Sequence, residues 1–131
     1  MRSVLIVDDN ATFRAAARGV LEAGGFRVVA EADSGAAAVE AAVRTQPDVV
    51  LLDIGLPDMD GFRTCRQVLT AVPTTMVVLC SVRDAEEYGD AVSRSSAAGF
   101  LPKAALSGSA LSRIITAATN DSRPGHPPGQ G

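Results

Sequence analysis

The chain has 131 residues, 47% hydrophobic and 21% charged, with a formal net charge of -3; this is one globular domain's worth of sequence with enough apolar side chains for a core. The acidic balance gives no electrostatic reason to expect nucleic acid to bind this segment itself. No apolar run is long enough to cross a bilayer and no charged, apolar leader precedes a small-residue cleavage site, so a soluble cytoplasmic protein without membrane contact is expected.

Ser3 to Val7 reads as a first strand, followed by a helix with Phe13, Ala17, Val20 and Leu21 on one face, stopped by Gly24 and Gly25. FRVVAEA, residues 26–32, is a second strand. Ser34 caps a helix whose inward stripe is Val39, Ala42 and Val43 and which must end before Pro47. DVVLLD, residues 48–53, is a third, continuously apolar strand, and the loop IGLPDMDG leads to a helix with Phe62, Cys65, Val68 and Leu69 inward. TMVVLCS, residues 75–81, is the fourth strand. A weak helix is expected in DAEEYGDAVSRSSAA, residues 84–98, with Gly89 in its middle and little to bury beyond Tyr88, Ala91 and Val92. GFL is a short fifth strand, and Ser107 or Ser109 opens a last helix with Leu111, Ile114, Ile115 and Ala118 at helical spacing. Apolar strands alternating with helices indicate a doubly wound α/β sandwich on a parallel sheet. The domain is read as residues 1–120, and the Pro- and Gly-rich residues 121–131 as a flexible tail or linker.

Ligands of such a sheet bind outside the carboxyl ends of its strands. The first strand ends in Asp8 and Asp9, the third in Asp53 and the fourth in Ser81, while Lys103, the only lysine among twelve basic residues, lies two residues past the fifth. Three carboxylates in one crevice disfavour one another's ionisation, a conflict that a hard divalent cation removes; Mg2+ suits a loop acid pair facing a strand-end acid. Lys103 and Ser81 suit phosphate oxygens. The single histidine, His126, lies in the tail, and Cys65 and Cys80 read as reduced core thiols. The remaining candidate nucleophile is a carboxylate, Asp53, which could form an aspartyl phosphate. Taken singly, each residue has a plainer use: Asp8, Asp9 or Asn10 as a helix cap, Asp53 as a turn acid beside Asp58 and Asp60, Ser81 as a loop hydroxyl, Phe100 as core and Lys103 as a surface charge. Their joint placement at one sheet edge favours a phosphoryl site.

At these residues the chain resembles a response-regulator receiver domain of bacterial two-component systems, over about residues 1 to 120. The resemblance rests on Asp8-Asp9, on Asp53 followed by IGLPDMDG, on Ser81, and on Phe100 three residues before Lys103, with intervals of 44 from Asp9 to Asp53 and 22 from Ser81 to Lys103. It implies a flavodoxin-like (CheY-like) five-stranded sheet of order 2-1-3-4-5 with five helices. It also implies phosphorylation of Asp53 by a sensor histidine kinase and Mg2+ held by Asp9, Asp53 and the Gly55 carbonyl, with Asp8 acting through water. Ser81 and Lys103 would meet the phosphoryl group, and Phe100 would be the switch aromatic. The protein would then be a phosphorelay switch rather than an enzyme, able to homodimerise on phosphorylation.

The wording DIGLPDMDG with GFLPKAALS most resembles receivers of LuxR/NarL-type regulators, whose DNA contact is made by an output domain not present in this chain; a single-domain regulator and part of a longer transcription factor both remain open. Three departures stand out. Pro102 precedes Lys103 and Ala104 follows it, so the cis peptide common after that lysine is not expected. Phe100 lacks a tyrosine hydroxyl. Val82 occupies a place often held by a smaller residue, which would narrow access to the phosphoryl group. The rivals are a receiver-like interaction module that is never phosphorylated, a small Mg-dependent aspartyl phosphatase, disfavoured because Asn10 rather than an acid follows Asp8 by two, and a flavin module, for which DDNATF is a poor phosphate loop.

Overall fold

The computed structural model describes residues 1–121; the segment read as a tail lies outside the described residues, His126 with it, apart from Asp121. Five strands, β1 (Ser3–Val7), β2 (Arg27–Ala32), β3 (Val49–Asp53), β4 (Met76–Ser81) and β5 (Gly99–Pro102), form one sheet of order β2-β1-β3-β4-β5 in which every pairing is parallel. The helices are α1 (Ala11–Ala23), α2 (Gly35–Thr45), α3 (Gly61–Ala71), α4 (Ala91–Arg94) and α5 (Gly108–Asp121). Fold class and strand order are those expected, and the strands begin and end within a residue of their predicted limits.

The period of two along each strand divides the core between the two faces. Leu5, Val7, Val50, Leu52, Val77 and Leu79 pack with Ala38, Ala42, Cys65 and Val68 of α2 and α3. Val4, Ile6, Val49, Leu51 and Val78 pack on the other face with Ala17 and Leu21 of α1 and Leu111 and Ile115 of α5. Both faces of the sheet are thus covered, which is why the strands read as unbroken apolar runs. At the far end from the acids, Ser3 Oγ and Asp48 tie β1 to the start of β3, with Ser3 N to Asp48 Oδ2 at 2.8 Å and Asp48 N to Ser3 Oγ at 2.9 Å.

Two inward assignments fail. Val20 is 41% exposed and Val43 51% exposed. Each lies one position, about 100° of rotation, from a buried neighbour, Leu21 or Ala42. The buried stripe of α2 is instead Ala38, Ala41 and Ala42, small residues that let the helix lie close to the sheet.

The expected helix over 84–98 is also broken. It is a 3-10 turn at Ala85–Tyr88 followed by the single turn of α4. Gly89 between them has φ 61° and ψ -132°, a conformation that glycine alone adopts without strain. Asp84 and Glu87 close the first turn reciprocally, Glu87 N donating to the Asp84 carbonyl at 3.1 Å and Asp84 N to Glu87 Oε2 at 2.9 Å. No cis peptide bond occurs among the described residues.

Candidate functional site

The caps assign several acids and hydroxyls to structure. Asn10 caps α1, its side chain accepting from Phe13 N at 3.1 Å, which leaves Asp8 and Asp9 free of that task. Ser34 caps α2, Asp60 caps α3 by accepting from Arg63 N at 2.8 Å, and Ser107 opens α5 by accepting from Ala110 N at 3.0 Å. Asp58 accepts from Gly35 N at 2.7 Å and Ala36 N at 3.0 Å, fastening the loop after β3 to the start of α2. Those two amides hold the Asp58 carboxyl below its ordinary value. Asp58 thus serves to fasten a loop and Asp60 to cap a helix.

What remains converges at the carboxyl edge of β1 and β3, where the order of the sheet reverses. Carboxylate oxygens of Asp8, Asp9 and Asp53 all lie within 4.8 Å of one another. Asp8 is 0% exposed, Asp53 is buried and Asp9 faces solvent. The strands fix the pair of buried acids by their backbones: Asp8 N donates to the Ala32 carbonyl of β2 at 3.0 Å, and Ile54 N to the Cys80 carbonyl of β4 at 3.0 Å. Gly55 N donates to Asp53 Oδ1 at 3.2 Å and Asn10 N to Asp8 Oδ1 at 2.9 Å.

Lys103 Nζ stands 2.5 Å from Asp8 Oδ2 and 3.6 Å from Asp53 Oδ2, and 4.4 Å from the centre of the Phe13 ring. The aromatic face and the two acids thus hold the ammonium from different sides. Burial alone would depress Lys103, but the contact with Asp8 and the charge of Asp53 outweigh it and raise its pKa. Burial raises Asp53; the neighbouring charges of Asp8 and Asp9 add to that, while the Gly55 amide and Lys103 oppose it. Asp8 Oδ2 is paired with the Lys103 ammonium, and three clustered carboxylates, two of them buried, are a donor set that fits a hard cation.

Ser81 is buried at the end of β4; its Oγ lies 2.5 Å from the Tyr88 hydroxyl and accepts from Arg83 N at 3.1 Å. Phe100 is half-buried, its ring 6.2 Å from that of Tyr88. Val82 stands 82% exposed beside Ser81. Both cysteines are free and buried. Burial pushes the Cys80 thiol up to about 12 and that of Cys65 up to about 11, so neither competes as a nucleophile near neutral pH.

Sequence reasoning missed three residues. Phe13, read only as helix core, lies under Lys103. Arg14 Nη1 donates to the Asp8 carbonyl at 2.6 Å while its Nε bonds Glu31 Oε1 at 3.0 Å, tying α1 to β2 beneath the acids. Tyr88 was read as helix burial, although its being the only tyrosine, seven residues past Ser81, was the available signal.

Fold and pocket together define a doubly wound α/β domain with an acidic pocket at its switch point. Comparison with known proteins gives the family: residues 4–116 match the model of the response regulator receiver domain, and the chain belongs to that family. It is similar to the signal receiver domain of NarL from Mycobacterium tuberculosis, with TM-score 0.79 and 34% identity over 90% of this chain and 96% of that one. It is 34% identical to the transcriptional regulatory protein DegU of Brevibacillus brevis over 76% of this chain and 43% of DegU. A protein-glutamate methylesterase/protein-glutamine glutaminase of Hahella chejuensis is 40% identical over 68% of this chain and 25% of its own length. The chain spans about half or less of these two curated relatives. Among the described residues no helix is long and apolar enough to cross a membrane.

Proposed function

We propose that this receiver domain is switched by phosphorylation of Asp53, the phosphoryl group coming from a phosphohistidine of a sensor histidine kinase. The observation that carries this reading is the meeting of Asp8, Asp9 and Asp53 within 4.8 Å, with Lys103 Nζ against both buried acids. Asp8, Asp9, Asp53 and the Gly55 carbonyl would hold Mg2+, which when bound neutralises the clustered acids and the oxygens of the incoming group.

The chain's own residues do the rest. Asp53 Oδ2 attacks phosphorus; the new P–O bond forms as the P–N bond of the donor breaks, and the imidazole nitrogen keeps the electron pair. Lys103 balances the charge that accumulates on the phosphoryl oxygens, held in reach by Phe13 and Asp8. Burial of Asp53 limits access of water to the acyl phosphate. Ser81 supplies a hydroxyl to a phosphoryl oxygen, and Phe100 repacks as that hydroxyl moves. The segment around α4 and β5 changes shape in turn, which would alter a homodimer surface or an output domain outside this chain. The domain acts in the cytoplasm and is not itself an enzyme. The phosphatase alternative is weakened by Asn10, whose side chain is spent on the α1 cap.

Acetyl phosphate with Mg2+ is expected to give one hydroxylamine-sensitive phosphoryl group per chain, lost in Asp53→Asn. Labelling that survives that substitution, or none from acetyl phosphate and kinase alike, rejects the assignment. Asp9→Ala should weaken Mg2+ binding far more than Asp58→Ala, whose carboxylate is occupied by the α2 amides; equal losses in a titration would mean that the acidic edge is misread.

A further inference from the structure

The Ser81 hydroxyl already has a partner. Its Oγ lies 2.5 Å from the Tyr88 hydroxyl, and Arg83 N donates to it at 3.1 Å. Phe100 can offer Ser81 no such bond, having no hydroxyl. The Tyr88 ring sits between two others, 6.0 Å from Phe62 of α3 at an interplanar angle of 69° and 6.2 Å from Phe100 of β5 at 55°. One side chain thus touches the pocket through its oxygen and two packed elements through its ring.

The turn that carries it has little else to hold it. Ala85–Tyr88 and α4 contain no buried residue, and Gly89 and Asp90 between them are exposed. Tyr88 is packed against the core formed by β1, β3, β4, α2 and α3, and it is the member of that turn which reaches the core. Either oxygen can donate in the Ser81–Tyr88 bond, but in both cases Ser81 Oγ is anchored toward the turn. A short hydroxyl pair with low exposure is a directional contact whose loss is felt on both sides.

We infer that Tyr88 is a positioning residue for Ser81: its phenol holds Ser81 Oγ in the unphosphorylated protein, and loss of that bond releases the Ala85–Arg94 segment. This rests on the reading in which Ser81 turns to a phosphoryl group on Asp53. The hydroxyl half of the switch then sits on the turn after β4, and Phe100 supplies only packing. Removing the phenol oxygen removes one hydrogen bond from the unphosphorylated state alone, which shifts the balance toward the released state by about 2- to 10-fold.

The chain has one tyrosine and no tryptophan, so tyrosine emission of the full chain reports on this residue alone. Emission should shift between wild type and Ser81→Ala, and should shift in the same direction when wild type is phosphorylated by acetyl phosphate with Mg2+. Tyr88→Phe should raise the rate of phosphorylation by acetyl phosphate about 2- to 10-fold in the wild-type background and leave it unchanged in the Ser81→Ala background. A Tyr88→Phe effect of equal size in both backgrounds, no effect in either, or emission that ignores Ser81→Ala overturns the assignment. If wild type takes no phosphoryl group at all, the phosphorylation reading fails and the release with it. The emission difference between wild type and Ser81→Ala still decides the bond by itself, so the two failures are told apart.

Discussion

Strands β1, β3 and β4 and the stretch from Ala85 to Arg94 lie in one small domain, yet they are built on opposite principles. Every residue of β1 and β3 is buried, and so is all of β4 after Met76, with side chains sealed by helices on both faces. The Ala85–Arg94 stretch buries nothing completely and relies on a capped turn, a one-turn helix and one aromatic side chain. A pocket needs its acids held still, and a switch needs a part that moves at small cost; local stability follows local burial. The difference places buried carboxylates and a loosely attached segment on neighbouring strand ends.

Cutting into the rigid half should cost most. Leu52→Ala, at a fully buried position of the central strand, is expected to lose about 2–5 kcal/mol by urea denaturation, whereas Val92→Ala in α4 should lose less than about 1 kcal/mol. Comparable losses would break the comparison. Gly61→Ala should follow at about 1–3 kcal/mol, because the added methyl would collide with Ile54 Cα and crowd the Asp53 carbonyl oxygen, both backbone atoms with no easy way to yield. Since that backbone carries Asp53, the same variant should also slow labelling by acetyl phosphate.

A third test uses pH on two acids of one loop whose shifts have opposite sign. Asp58, lowered by the Gly35 and Ala36 amides, contributes stability above its unfolded pKa that is lost as pH falls through the folded one. Asp53, raised mainly by burial, carries a penalty that is absent below its unfolded pKa and grows as pH rises through the folded one. Without metal at pH 7, Asp58→Asn should therefore unfold at lower urea than wild type and Asp53→Asn at higher urea, and both differences should shrink toward pH 3. Differences of the same sign would mean that the two acids do not divide between fastening and function. The smallest effect is expected at Val43→Thr, within about 0.5 kcal/mol, because that side chain is 51% exposed.

Much of this was readable from residue order. The apolar runs, caps and breakers located five strands and the helices around them, since a strand covered on both faces must be apolar throughout and a helix end must satisfy its free amides. Asp8, Asp9, Asp53, Ser81 and Lys103 could be grouped because parallel strands bring their carboxyl ends to one edge. Val20 and Val43 were misplaced because an apolar residue at the margin of a helical stripe carries no mark of which side its neighbours will cover. The helix expected over 84–98 failed at Gly89, where composition signalled weakness but not the positive φ.

The sequence by itself determined the alternation of elements and the identity of the acids, because these depend on periodicity and on local chemistry, while the strand order was implied only by the family resemblance. Only the tertiary structure decided that Asp58 fastens α2, that Phe13 and Asp8 hold Lys103 between them, and that Tyr88 rather than Phe100 reaches Ser81. Each of those is a contact that a side chain makes with a separate part of the chain. Such contacts depend on distances of a few ångströms that no spacing along the chain encodes, and they exist only once the sheet has brought its strand ends together.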